Sequence, residues 1–356
     1  QNRLLMKGDC TGPASAEFVL KDPTVNFAVL ECARGGLLRA GLGFKKCDVG
    51  IVTNVAADHL GLKGIHTVEQ LAKVKGVIPE TVLPDGYAIL NADDDLVYEM
   101  RRSINCNLAL FSMDEENPRI KALQKLGGIT AVYENGYVTL CRGTWKMRIM
   151  KAENIPLTYG GKATFMIQNV LPAVIAANVR GIGIEDMKIA LETFIPSASQ
   201  TPGRLNLFKF ENFSILLDYA HNPAGMRALQ NFTDNLEATE KIGIIAGVGD
   251  RREEDTNELG SIAAEMFDEI IIRQDKNLRS KSEEDLIKML DAGIKMKDPN
   301  KKTTIIPSEK EAITHAVKNA KKGSLIICCS DVIPDALELV MKFKEQESKG
   351  EMIFAQ

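Results

Sequence analysis

Two side chains of this sequence, Glu31 and His59, are of types and at positions that could hold a divalent cation. Glu31 closes the apolar run 27–30 and leads into Arg34-Gly35-Gly36, and His59 follows Asp58 a short way past the apolar run 49–52. Each run reads as a short buried strand. Ligands of open α/β sheets lie just outside the carboxyl ends of the strands, so these two strands would deliver Glu31 and His59 to one edge. A carboxylate oxygen beside an imidazole nitrogen suits a divalent ion, above all one shared with phosphate oxygens. Read for structure alone, Glu31 caps a helix and His59 is a satisfied polar group, and spacing does not decide between these readings. A third strand, 87–90, ends on Asn91-Ala92-Asp93-Asp94-Asp95. That again puts polar groups, Asn91 and Asp93 among them, at a strand end, and it serves equally as an acidic N-cap for a helix from Leu96.

The elements that must position these groups follow from periodicity. Segment 67–81 is a helix: Thr67 and Gln70 make a capping box, and Leu71, Val74 and Ile78 form its apolar stripe. Lys75 lies between those apolar neighbours, where a lysine ordinarily rests its stem on the surface and keeps its charge in water. From 105 to 162 the pattern changes to short β-type runs, 129–133, 137–141 and 145–150, with Asn135-Gly136 as a hairpin turn. This region is expected to be a small antiparallel insert packed on the main sheet, with the lone tryptophan, Trp145, in its core. An Ala-rich helix, 164–180, carries Asn169 on an otherwise apolar surface, which is costly unless the amide bonds a loop or a ligand. After a further helix, 185–194, the stretch 196–203 reads as a linker. The boundary is placed there, with 1–198 as one domain and 199–356 as the other.

Past the linker, apolar runs at 215–217, 242–246, 269–272, 303–306 and 324–328 alternate with helical segments, the pattern of a parallel sheet wrapped by helices. The first runs into Asp218-Tyr219-Ala220-His221-Asn222-Pro223, with proline near the first helical position. The second runs into Gly247-Val248-Gly249-Asp250-Arg251-Arg252, which lacks the G-x-G-x-x-G spacing of a dinucleotide loop. The fold class is α/β.

Composition narrows the partners. At 356 residues the chain is long enough for two domains, and 45% hydrophobic with 26% charged residues is the make-up of an ordinary soluble protein. A net charge of −4 argues against nucleic acid as the main partner. No apolar run reaches the roughly 18 residues that span a bilayer. Seven cysteines without a C-x-x-C pair point to a reduced, cytoplasmic protein. Gln1 is not an initiator methionine and no secretory leader is visible, so the chain is expected to start inside a domain.

In order, and through nearly the whole chain, Glu31-Cys32-Ala33-Arg34-Gly35-Gly36, Thr53-Asn54 with Asp58-His59-Leu60, Leu90-Asn91-Ala92-Asp93-Asp94, Pro202-Gly203-Arg204 and Asp218-Tyr219-Ala220-His221-Asn222-Pro223 resemble the Mur ligase family. Within it the likeness is greatest to the Mur-ligase-like half of the enzymes that make cyanophycin. The resemblance implies a central ATPase domain followed by a C-terminal Rossmann-like domain. It implies an ATP-dependent amide ligase that phosphorylates a carboxylate and lets an amine displace the phosphate. It also implies Mg2+ at Glu31 and His59, and at Lys75 as a carbamate, which forms where burial keeps the amine neutral. On the same footing His59, Lys75 and Arg204 are catalytic, Asn169 meets the adenine, Arg204 the phosphates through its planar fork, and Asp218 the ribose. Asn91 and Asp93 complete the nucleotide site, and His221 and Asn222 face the substrate. Arg251 and Arg279, read from the charge of their loops, are expected to meet the charged groups of the incoming amino acid, although such loops are more commonly solvated surface. The partners implied are arginine and an acidic peptide whose aspartate side chain accepts it, in a monomer or a homo-oligomer.

The sequence departs from the family in two places. The G-x-x-G-K-[ST] phosphate loop is not in this chain and is expected some tens of residues before Gln1, and the ATP-grasp half of the cyanophycin-making branch is not visible in this sequence. Asp275-Lys276-Asn277-Leu278-Arg279 stands where diaminopimelate-adding members carry D-N-P-R. Three readings stay open: the arginine-adding half of a cyanophycin-making enzyme, a muramyl or folylpolyglutamate-type ligase, and a nucleotide-binding protein inactive without its phosphate loop.

Overall fold

The computed structural model describes residues 10–274, 278 and 281–350. They divide into two compact units: the described residues up to Gly161 together with Phe165–Glu192, and Lys162–Thr164 together with the residues from Thr193 on. The first unit runs α1 (Pro13–Leu20), α2 (Arg34–Ala40), β1 (Cys47–Val52), α3 (Val68–Glu80), β2 (Val82–Asn91), α4 (Asp95–Glu99), β3 (Asn107–Ser112), α5 (Pro118–Lys125), β4 (Ile129–Glu134), β5 (Tyr137–Arg142) and β6 (Trp145–Lys151), then α6 (Thr164–Val179) and α7 (Ile184–Thr193). Its sheet has the order β1-β2-β3-β4-β5-β6, parallel from β1 to β4 and antiparallel beyond.

Successive residues of a strand face opposite sides, and the core shows it. Ile89 and Phe111 pack with Ile167 and Leu171 of α6, whereas Leu90 and Leu110 pack with Val97 and Ile120 of α4 and α5. The central strands are thus covered on both faces, as parallel sheets require. Beside β1, a Cβ on Gly86 would lie 2.3 Å from the Asp48 carbonyl oxygen, so only glycine fits there.

Three expectations change. The run 27–30 forms no strand; it belongs to no regular element, Phe27 is exposed and Val29 is 88% exposed. An apolar run becomes a strand only where a neighbour completes its hydrogen-bond ladder, and the described sheet begins at β1. The antiparallel segment does not pack on the sheet but continues it, because β4 adds in parallel to β3 before the hairpin turns back. Trp145 is 62% exposed rather than core, since it opens the outermost strand, β6.

The second unit runs β7 (Asn206–Lys209), β8 (Phe213–Asp218), α8 (Pro223–Thr233), β9 (Glu240–Ile245), α9 (Glu253–Met266), β10 (Glu269–Ile272), α10 (Glu283–Lys297), β11 (Lys302–Ile305), α11 (Glu309–Asn319), β12 (Ser324–Cys329) and α12 (Ile333–Ser348). The sheet order is β11-β10-β9-β12-β8-β7, parallel except for β7 against β8. The chain moves outward from β9 through β10 to β11 and then returns to β12, so a topological switch point lies between β9 and β12. Ile215, Leu217, Ile244 and Ile326 pack beneath Ile313, Val317 and Val340 of α11 and α12. No helix among the described residues is long and apolar enough to cross a membrane.

Candidate functional site

In the first unit the chemistry gathers in the loop that follows β1. Residues 53–57 are irregular, and the chain then turns back through a Leu62–Ile65 bridge, with the Gly61 N–H donating to the Ile65 carbonyl at 2.7 Å. His59 has φ 54° and Lys63 φ 52°, left-handed values that side chains other than glycine rarely adopt. Such strain persists where the surroundings over-determine the backbone. It sets Asp58 and His59 side by side, His59 Nε2 lying 3.8 Å from Asp58 Oδ2 with both groups half-buried. Oxygen and imidazole donors this close form a set that a divalent cation accepts.

Lys75 faces this loop from α3. The capping box forms as expected: Thr67 Oγ1 accepts from the Gln70 N–H at 3.3 Å, and Gln70 Oε1 accepts from the Thr67 N–H at 3.2 Å. Lys75, however, does not lie out along the surface. It is half-buried, and its Nζ donates to the Asn54 carbonyl at 2.8 Å. Burial pushes its pKa below that of an ordinary lysine, against the opposing charges of Asp58 and Asp94. Glu31 is exposed just before α2, from which Arg34 Nη2 donates to the Leu62 carbonyl at 2.6 Å.

The carboxyl end of β2 is built differently from its sequence reading. Asn91 is buried and its amide is used twice within the fold, Nδ2 donating to the Thr53 carbonyl at 2.7 Å and Oδ1 accepting from the Asp93 N–H at 2.9 Å. Asp93 accepts from Ser112 Oγ, from the Met113 N–H at 2.8 Å and from Asn117 Nδ2 at 3.0 Å. Both side chains thus brace β2 against its neighbours, Asn91 from within the core and Asp93 from an exposed position. Asp94, passed over among the site residues, does more: Oδ1 caps α4 through the Val97 N–H at 3.0 Å and Oδ2 accepts the Val55 N–H at 2.7 Å. Asn169 is exposed on α6 with only Met166 Sδ at 3.8 Å from its amide nitrogen, so the burial cost anticipated for it does not arise.

In the second unit Asp218 ends β8. Its Oδ2 accepts from the Leu205 N–H and its Oδ1 from the Ala220 N–H, both at 2.9 Å. Burial pushes its pKa up, while those backbone donors and Arg204 oppose the shift. Arg204 is exposed, with its guanidinium 5.1 Å from the centre of the Tyr219 ring. His221 Nδ1 lies 2.8 Å from the Tyr219 carbonyl oxygen. Asn222 is the N-cap of α8, its Oδ1 accepting from the Gly225 N–H at 2.8 Å, which commits that oxygen to the fold.

Arg251 is buried rather than presented on a charged loop, its Nη1 2.8 Å from Asp250 Oδ1. The Asp250 carboxylate offsets the charge of this buried guanidinium. Asp275 and Arg279 lie outside the described residues. Sequence reasoning also missed Arg273, only 3% exposed, which ends the run Ile270-Ile271-Ile272. It pairs with Glu309 (3.0 Å) and Asp331 (2.7 Å) and donates to the Cys329 and Gln274 carbonyls at 2.7 and 3.0 Å. An arginine directly after three consecutive isoleucines was the available signal. Above it a cleft of about 710 Å³ opens beside α11 and α12.

Comparison with known proteins gives this arrangement a family context. Residues 10–177 match the Mur ligase middle domain, and residues 203–332 match the Mur ligase, glutamate ligase domain. Cyanophycin synthetase of Geminocystis herdmanii is 48% identical over 96% of this chain, and that of Synechocystis sp. 47% identical over 94%. The chain spans 39% and 38% of these two relatives. A UDP-N-acetylmuramoyl-L-alanyl-D-glutamate–2,6-diaminopimelate ligase of Caldanaerobacter subterraneus is 25% identical over 85% of the chain and 58% of its own length. Among solved structures, MurF from Acinetobacter baumannii superposes with TM-score 0.61 at 20% identity, covering 89% of this chain and 65% of that one. E. coli FolC in complex with ADP gives 0.61 at 15% identity, covering 84% and 63%. At these identities the structures show a shared fold alone.

Proposed function

We propose that this chain, which belongs to the Mur ligase family, is the part of an ADP-forming amide ligase that adds arginine to an aspartate side chain of a poly-aspartate backbone. The observation that carries this reading is the 45–48% identity to several cyanophycin synthetases across both Mur ligase domains. ATP phosphorylates the acceptor carboxylate, and the incoming amine displaces phosphate from the acyl phosphate, forming the C–N bond and losing a proton. A magnesium ion, when bound, offsets the negative charge of the phosphates. The paired donors Asp58 and His59 fit such an ion, and Glu31 and a carbamylated Lys75 are the further groups this reading assigns to it. Lys75 is suited to carbamylation because burial lowers the pKa of its amine.

On this reading Asn169 meets the adenine, Arg204 the phosphates and Asp218 the ribose. His221 belongs to the acceptor or amine site. The domain boundary near residue 198 is proposed as a hinge that lets the two units close on the nucleotide and exclude water from the acyl phosphate.

The test uses the intact protein with ATP, magnesium, arginine and an acidic β-aspartyl-arginine primer ending in an unmodified aspartate. ADP release coupled to primer extension is expected, and replacing arginine by diaminopimelate or glutamate is expected to abolish it. Faster turnover with glutamate than with arginine would overturn the assignment in favour of a folylpolyglutamate-type ligase.

A further inference from the structure

We infer that Asp94 is a positioning residue for the loop that carries Asn54, Asp58 and His59. Its two carboxylate oxygens act on separate elements. Oδ1 accepts the Val97 N–H and so fixes Asp94 to the first turn of α4, while Oδ2 accepts the Val55 N–H at 2.7 Å and so fixes the loop. Val55 directly follows Asn54, whose carbonyl receives Lys75 Nζ at 2.8 Å. The seat of the lysine is thus set from one side by α3, through Lys75 itself, and from the other by α4, through Asp94. Asn91 assists by holding the Thr53 carbonyl at 2.7 Å, one residue further back. A carboxylate accepting two backbone N–H groups forms charge-assisted bonds, stronger than neutral ones. Without the second bond the Asn54–Val55 peptide has no tie to α4, and its carbonyl is free to rotate away from Lys75. Asp94 acts on Lys75 through this peptide, in addition to the pull of its charge on the amine, and touches no substrate in doing so. Only the kinetic part of the inference rests on the ligase reading.

The test is Asp94→Asn in the full protein. Asparagine retains one oxygen, enough to cap α4, since it caps as well as aspartate. It presents an NH2 group to the other N–H, which therefore loses its acceptor. Amide hydrogen exchange at Val55 is expected to quicken about tenfold, with exchange at Val97 and the thermal midpoint close to wild type. Turnover in the ADP-release assay is expected to fall about tenfold or more, with the KM for ATP changed less than kcat.

Asp94→Ser, which caps the helix but is too short to bridge both groups, is expected to give the same split. It carries the test should Asp94→Asn fail to fold. Unchanged exchange at Val55 in both variants overturns the inference, as does faster exchange with undiminished kcat. Absence of turnover in the wild-type protein counts against the ligase reading instead, and the exchange measurement then decides on the clamp by itself.

Discussion

Replacing Lys75 with alanine is expected to lower ADP-forming turnover by about a thousandfold, the scale on which a single catalytic group acts. The amine sits half-buried on the Asn54 carbonyl, with burial depressing its pKa against the pull of the Asp58 and Asp94 charges. A neutral amine takes up carbon dioxide, forming an N–C bond and releasing a proton. The product is an anion placed among carboxylates, which is tolerable only when a cation offsets it. Carbamylation of Lys75 is therefore expected to depend on the divalent ion. A carbon-13 carbamate signal from labelled bicarbonate should appear with magnesium and fade without it. Acetate or formate added to Lys75→Ala should restore part of the activity by supplying the missing carboxylate, whereas Lys75→Arg should not respond. Full activity of Lys75→Ala without added acid would show that the residue only packs.

Removing Arg273 is expected to have the largest effect on stability. Burial works against its charged form, but Glu309 and Asp331 outweigh that and hold the guanidinium above its ordinary pKa. Arg273→Ala removes the buried guanidinium that those two partly buried carboxylates share, which costs about 3–5 kcal/mol by the usual measure of a broken buried pair. The sign of the pH dependence follows. Losing a neighbouring cation raises the pKa of a partly buried carboxylate relative to the intact protein, so the loss should be greatest near neutral pH and shrink as the solution is acidified into the carboxylate range. Urea unfolding of the two proteins at neutral and mildly acidic pH reads this directly, and a deficit under about 1 kcal/mol at neutral pH would mean that the site relaxes or hydrates instead.

What was legible in the sequence was what neighbouring residues decide among themselves. The capping box at Thr67, the asparagine and proline that open α8, and the strand–helix alternation of the second unit all depend on local spacing, and all are present. The misreadings arose where the outcome depends on distant chain. Segment 27–30 has a strand's composition but finds no ladder partner in the described sheet. Asn91 and Asp93 have the chemistry of ligand-binding groups, and the sequence could not show that they also bond residues up to 38 positions away, as in the bond from Asn91 to Thr53. Arg251 shows the same limit, because a charged loop in sequence is exposed or buried according to what folds over it. Lys75 erred the other way. Its apolar neighbours suggested a surface stem, and only the loop after β1 turned that position into a half-buried one.

The exposed tryptophan has a practical consequence. Trp145 is the only tryptophan in the chain and is 62% exposed at the start of β6. Its indole already meets water in the native state, so its emission should lie at long wavelength and move little on denaturation. It also belongs to the first unit, whereas Arg273 belongs to the second. Intrinsic fluorescence should therefore report almost nothing of the melting of the second unit, and far-ultraviolet circular dichroism, dominated by α8 to α12 there, is the probe that follows it. A tryptophan installed in the α11–α12 core, at Leu337 for instance, would give that half of the molecule an optical signal of its own.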